Sequence, residues 1–260
     1  MLHDIKCGQN NVQGIAQLGT ELFVCMYHSE RVAVYNLNTY SLTRHVTIPG
    51  MQHPRNLAAC KQNNCLYISC YELKCIHRVD LSNSSCSKWS LSAEPRVVSL
   101  TRAFDLLVTL RRSIVEYATS GSLIRSFKLD VSIDNAQQAI ELSNGQFVVC
   151  HPDSTQHRVC VVDTAGRIVH SYGGPKGSSA GQLNAPFRLA VDKRGCVLVA
   201  DCDNKKVQVL SPTLTRLGDV TTPGHQLKQP CALHLDELSN RLYVGESCSP
   251  SRWFVLSCES

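Results

Sequence analysis

Two sets of side chains in this sequence have types and spacings that invite chemistry. Cys60, Cys65, Cys70 and Cys75 recur every five residues, a thiol ladder that raises the question of a zinc site. Along an extended strand an odd spacing turns successive side chains to opposite faces. Cys60 and Cys65 also flank a turn, and paired C-x-x-C knuckles are absent. The four are therefore expected not to converge but to pack as buried thiols, leaving no metal ligand and no cofactor to expect. The second set is basic. Arg55, Arg96 and Arg188 each follow a proline (Pro54, Pro95, Pro186) by one or two residues, with Asn56 and Gln137 at comparable places, while Arg111, Arg112 and Lys205 fall in loops further on. Guanidinium and amide groups near exposed rings are the components of single-stranded nucleic-acid recognition, where they contact phosphate or stack on bases.

These residues need a scaffold, and its outline is visible as an internal repeat. Anchors at Val12, Pro54, Pro95, Ala136, Pro186 and Pro230 are separated by 42, 41, 41, 50 and 44 residues. After each anchor comes a short apolar run, and then a second: ELFVC, CLYIS, DLLVT, QFVVC, CVLVA and RLYVG. A third run alternates, as in RVAVY, RVCVV and KVQVL, which is the pattern of strands with one face more buried than the other. A weaker fourth run follows in most units, LTRHVTI and LIRSFKL among them. Four strands per unit at this period make the blade of a β-propeller, so residues 1–260 are expected to form one all-β, six-bladed ring of four-stranded antiparallel blades. The sixth unit stops after its third strand. The leading LHDIKC (residues 2–7) is its one obvious fourth, so the N-terminal strand should pair with RWFVLSC and close the ring.

Composition agrees with a large core. Of the 260 residues 43% are hydrophobic and 18% charged, which is globular rather than disordered. The net charge of +5 suits an acidic partner but falls well short of a histone-like balance. No signal-like or 18-residue apolar segment occurs, so a cytoplasmic, reduced setting is expected for the fourteen cysteines.

The fifth unit carries a more specific pattern: Pro186, Leu189-Ala190-Val191, Asp192, Gly195, Val197 to Ala200, Asp201, Asn204, Lys206 and Val207-Gln208-Val209. It resembles the NHL repeat, with Lys206 in place of the usual arginine, and through weaker copies the whole chain resembles the propeller of tripartite-motif NHL proteins. At the Asp201 position the other units carry Met26, Cys70, Leu110, His151 and Glu246. The Asp and the basic residue of the repeat are expected to tie the loop between strands two and three through turn amides and an ion pair. Arg31, Arg158 and Lys206 are then structural bases of the repeat, and Arg188 is left over for a ligand.

In a propeller the unit heads and the loops between strands two and three share one face. That face would present Arg55, Asn56, Arg96, Gln137, Arg188, Arg111, Arg112 and Lys205. The resemblance implies a recognition module, related to ubiquitin-ligase propellers, that binds a protein partner or single-stranded RNA there. The lack of C-x-x-C pairs, heptads and long apolar spans leads to the expectation of a monomeric domain without ligase chemistry, membrane attachment or an evident small-molecule substrate. No catalytic residue is expected. The alternative is a lactonase-like hydrolase or metal-dependent lyase at the central channel. Such sites need acids or histidines converging from the inner strands. Here Glu141, Asp192 and Asp236 fall at the far strand ends, and His234 stands alone. No G-x-S-x-G elbow, Walker loop or H-E-x-x-H helix is present.

Overall fold

In a computed structural model, residues 3–8, 10–220, 222, 224–248 and 250–257 are described. They form 24 strands in six four-stranded antiparallel sheets. The chain opens with β1 (His3–Gly8). The first blade is then β2 (Val12–Leu18), β3 (Glu21–Met26), β4 (Arg31–Asn36) and β5 (Leu42–Thr47). The second holds β6 (Pro54–Cys60), β7 (Cys65–Cys70), β8 (Cys75–Asp80) and β9 (Cys86–Ser90); the third β10 (Val97–Leu100), β11 (Leu106–Thr109), β12 (Ser113–Tyr117) and β13 (Leu123–Lys128). The fourth holds β14 (Gln138–Glu141), β15 (Phe147–Pro152), β16 (Gln156–Val162) and β17 (Ile168–Pro175); the fifth β18 (Pro186–Val191), β19 (Val197–Asp201), β20 (Lys206–Leu210) and β21 (Arg216–Asp219). Strands β22 (Pro230–Asp236), β23 (Arg241–Glu246) and β24 (Ser251–Ser257) belong to the sixth, whose outer strand is β1. No helix of the described residues is long and apolar enough to cross a membrane.

The closure is the one the sequence requires. β1 runs antiparallel to β24, with His3 opposite Val255 and Ile5 opposite Trp253. An Asp4 to Arg252 ion pair at 3.2 Å fastens its outer face. Behind it, Tyr35, Tyr40, Tyr243 and Trp253 pack edge to face across the seam between blades six and one. Such tilted aromatic pairs add to what their burial alone contributes.

Each second strand is apolar on both faces because blades stack on either side of it, which is why DLLVT and QFVVC read as continuous runs rather than alternations. The core is accordingly six clusters, one in each seam between neighbouring blades. The outer strands β5, β9 and β13 are exposed along most of their length and carry Arg44, Lys88 and Arg125, a charged edge that resists pairing with another chain.

One local expectation needs correction. Asp201 does tie the fifth blade's loop: it is buried and accepts from the Asn184 amide (2.6 Å), Asn204 Nδ2 (2.8 Å) and Gln208 Nε2 (2.6 Å). Lys206, however, pairs with Asp219 of β21 at 3.6 Å, because the carboxylate of Asp201 is already filled by amide donors. Glu246, the retained acid of blade six, takes the Lys228 amide in the same way. The cysteine ladder does not converge, as its spacing predicts. Cys65 and Cys70, at the two ends of β7, fall on opposite faces, while Cys60 faces Cys65 and Cys70 faces Cys75 across β6/β7 and β7/β8. The ladder forms two pairs on opposite faces of blade two.

Candidate functional site at the channel mouth

One irregularity recurs where the inner strands begin. In blades one, two, five and six the register of the first strand against the second slips between the anchor and the second residue after it. The residue left out of the ladder is Gln13, Arg55, Phe187 or Cys231. A bulge of this kind bends the strand and re-aims one side chain. All four turn to the mouth of the central channel, where they line a cavity of about 380 Å³ together with Tyr27, Asn11, Gln229, Ser247 and Cys202. In blades three and four the inner strand starts only at Val97 and Gln138. Arg96 and Gln137 instead give their amides to the ladder, on Thr109 O and Cys150 O.

The heads approach closely here. A Cβ on Gly14 would lie 2.9 Å from the Leu57 amide nitrogen and 3.2 Å from Cys25 Sγ. That glycine lets blade one press its backbone against blade two.

Arg188 closes the channel from within. It stands on blade five and is 2% exposed. Its guanidinium donates to Phe187 O (3.0 Å) on its own blade, and reaches across the ring to Arg55 O (2.6 Å) on blade two and Gln13 O (3.5 Å) on blade one. It also lies over the Phe187 ring, 4.4 Å from its centroid. Burial, with a smaller push from the Arg55 charge, pulls the guanidinium down to about 10, so it remains a cation at neutral pH. Its partners are carbonyls rather than carboxylates, and its Nε has none.

A second cation stands next to it. Arg55 lines the cavity and stacks on Tyr71, and Arg96 stacks on the same ring, each guanidinium 5.1 Å from the centroid. Arg96 is pulled below its ordinary value mainly by burial. Arg55 on the cavity wall, Arg96 behind Tyr71 and Arg188 within the ring thus bring three guanidiniums to this side of the channel, and none of the described residues that line the cavity is a carboxylate. A preformed field of one sign with neutral walls favours an anion. The Gln13 Oε1 atom is buried without a hydrogen-bond partner, leaving an acceptor for a ligand hydroxyl or amine.

A proton-handling group stands on the same rim. The hydroxyl of Tyr27, which lines the cavity, donates to Glu72 Oε1 at 3.3 Å, and the other oxygen of that carboxylate lies 3.3 Å from His53 Nε2. His28 packs edge-on against His53, with ring centroids 4.6 Å apart. His28 and His53 hold φ of 60° and 47°, left-handed conformations that cost energy in a side-chain-bearing residue and gather at functional sites.

The eight residues singled out by sequence are not brought together as one basic surface. Arg55 lines the cavity and Arg96 supports it through Tyr71. Arg188 is inside the ring rather than on its face. Asn56 and Gln137 are buried at the blade heads, Gln137 donating to Asn135 O and Oδ1. Arg111 and Arg112 both converge on Asp134, at 2.8 and 3.0 Å. Those two guanidiniums hold the Asp134 carboxyl well below the usual carboxylate range, so the trio carries a net single charge. Lys205 is exposed in the turn before β20, with φ of 59°. Sequence reasoning missed Tyr27, Glu72, His53 and Tyr71; the signal for them is that Tyr27, Tyr71 and Glu72 fall in turns after a second strand while His53 immediately precedes the Pro54 anchor, all on the face of the unit heads.

The cavity's thiols are poor nucleophiles: burial raises Cys202 to about 12 and pushes Cys231 well above the ordinary thiol value. The inner-strand acids are engaged elsewhere. Glu141 accepts from the Arg102 amide, while Asp192 and Asp236 tie their own turns. Burial pushes His234 down to about 4. The donors at the mouth are amides, hydroxyls and a guanidinium, a set that does not fit an oxygen-rich divalent-cation site.

No protein-family model matches the chain, and no curated protein matches it. Solved structures do. Hydrazine synthase of Kuenenia stuttgartiensis shares 14% identity over 97% of each chain, with a TM-score of 0.71. Streptogramin B lyase shares 10% over 100% of this chain and 88% of that one, with a TM-score of 0.69. A putative gluconolactonase shares 15% over 98% and 91%, with a TM-score of 0.71. The fold is that of these propellers. All three are named as enzymes, and this overturns the expectation of a non-enzymatic module: the scaffold to which the chain is similar is one that carries catalysts.

Proposed function

We propose that the protein binds an anionic, carbonyl-bearing small molecule at the channel mouth and acts on it as a lyase or hydrolase. Arg55 takes the ligand's carboxylate or phosphate, with the buried charge of Arg188 beneath it. Tyr27, backed by Glu72 and His53, exchanges a proton with the reacting group, and the guanidiniums stabilise the negative charge that develops on the carbonyl oxygen. The observation that carries this reading is the placement of Arg55 and Tyr27 on the walls of one cavity, with a carboxylate and an imidazole lined up behind the phenol. The names of the lyase and lactonase neighbours favour the same reaction classes.

The test is turnover of a panel of lactones and of carboxylates bearing a β-leaving group. Arg55→Gln should raise KM by about ten- to a hundredfold, the worth of one charge-assisted hydrogen bond. Tyr27→Phe should lower kcat by about a hundredfold or more while leaving KM nearly unchanged. A wild-type protein that turns over none of the panel, or variants that match it, would remove the reading.

A second reading has one specific observation in its favour. Arg55 and Arg96 each lie 5.1 Å from the Tyr71 ring centroid, and guanidiniums grouped with an aromatic ring are the elements that contact phosphates and stack on bases, which supports single-stranded RNA on this face, as the NHL resemblance implies. RNA affinity would then fall steeply with salt, and Tyr71→Ala would weaken it by about ten- to a hundredfold.

A further inference from the structure

The paired cysteines of blade two meet a histidine. Cys70 and Cys75 face each other across the β7/β8 hairpin, and His77, two residues along β8, projects from the same face as Cys75. Among the described residues, the two sulfurs and an imidazole nitrogen lie within 4.8 Å of one another, and all three side chains are buried. His77 is 1% exposed, and its Nε2 has no hydrogen-bond partner. An unpaired buried imidazole nitrogen costs free energy unless something else takes it. The surroundings are the seam between blades one and two, with Phe23, Val32, Met51 and Ile68 in the same cluster. The other pair on this ladder, Cys60 and Cys65, lies on the opposite face of the blade in a different seam. No histidine joins it among the described residues.

We propose that Cys70, Cys75 and His77 form a binding site for one thiophilic d10 cation, of the Zn²⁺ or Cu⁺ class. Two soft thiolates and one imidazole select such ions over calcium or magnesium. On binding, both thiols release their protons to solvent as the two metal–sulfur bonds form, and the imidazole gives its free lone pair. With a divalent ion the charges cancel, which suits a dry seam. The place has a consequence for the channel mouth: Cys70 and Cys75 are the two ends of the turn that carries Tyr71 and Glu72. A metal bridging them clamps the base of that turn.

The site is tested on the full chain, reduced with a non-coordinating phosphine. Titration with Cd²⁺, and separately with Cu⁺, should give one equivalent of tight binding and a sulfur-to-metal charge-transfer band, and Zn²⁺ should displace Cd²⁺. The cadmium NMR shift of the wild-type protein should report two sulfurs and one nitrogen, a readout that needs no variant to fold. Cys75→Ser should abolish the two-thiolate band and weaken binding by about a hundredfold or more, since even outer-shell partners are worth that much. His77→Leu should weaken binding but keep the thiolate band. A variant with Cys60→Ser and Cys65→Ser should bind as the wild type does. The proposal is overturned if the reduced, folded protein shows no band with either cation, if the band survives Cys75→Ser, or if it disappears with the opposite-face cysteines.

Discussion

Replacing Arg188 by methionine keeps an apolar stem in the channel while removing the guanidinium, so it isolates the worth of the buried cation. Burial draws that guanidinium down to about 10 from an ordinary 12.5, which corresponds to about 3 kcal/mol against holding the charge there. Opposing this are two short bonds, to Arg55 O at 2.6 Å and Phe187 O at 3.0 Å, each worth about 1.5–3 kcal/mol as hydrogen bonds to a charged group. The third, to Gln13 O at 3.5 Å, adds little. The balance is about 0–3 kcal/mol in favour of arginine, far less than its complete burial would suggest. Gln13 and Arg55 border the cavity, so water can reach their abandoned carbonyls. Arg188→Met should therefore fold and lose no more than about 3 kcal/mol by urea unfolding, a fall in Tm of at most roughly 10 °C for a chain of this size. A gain in stability would show that the carbonyl bonds do not hold the ring. A protein unfolded without denaturant would show that the cation is worth far more than this balance allows.

Other perturbations test separate links. Deleting β1 removes the outer strand of blade six and exposes the edge of β24, so melting should move to lower temperature with aggregation; unchanged melting would contradict ring closure. Gly14→Ala drives a methyl into the Leu57 backbone and should cost about 1–3 kcal/mol by denaturant unfolding, as overpacking does; a neutral result would mean the blades can part there freely. Asp134→Asn should destabilise at neutral pH. Because the folded carboxyl titrates below its ordinary range, the contribution is present above that range and lost as pH falls, so the variant and the wild type should converge in acid. A difference that persists at low pH would mean that Asp134 acts through something other than Arg111 and Arg112.

The ring was legible because its cause is local. Alternating and continuous apolar runs state which strands are half or fully buried, and LHDIKC, a strand-like run ahead of the first unit, matches the observed pairing with RWFVLSC. The mouth of the channel was legible only in part. Arg55 was found because it follows Pro54, but that its neighbour on the far side is Arg188 depends on bonds spanning 133 and 175 residues, which no local pattern carries. The same proline rule pointed at Arg188 as a surface residue. In blade five, however, the bulge turns Phe187 to the mouth, and the register then places Arg188 opposite Ala200, pointing inward. The cysteines fail to converge, as their spacing predicts, but that Cys70 and Cys75 meet His77 depends on the β7/β8 pairing, which no local pattern carries. The enzyme question turned on an absence of acids on the inner strands, whereas Glu72, the carboxylate that the Tyr27 hydroxyl contacts, arrives on a turn.

The most direct test of the central claim is calorimetric titration of the wild-type protein and of Arg55→Gln with inorganic phosphate and with small mono- and dicarboxylates. The expected result is saturable binding of one anion per chain that Arg55→Gln weakens by about ten- to a hundredfold with the fold unchanged. Absence of binding, or binding that Arg55→Gln leaves intact, would contradict an anion site at the channel mouth.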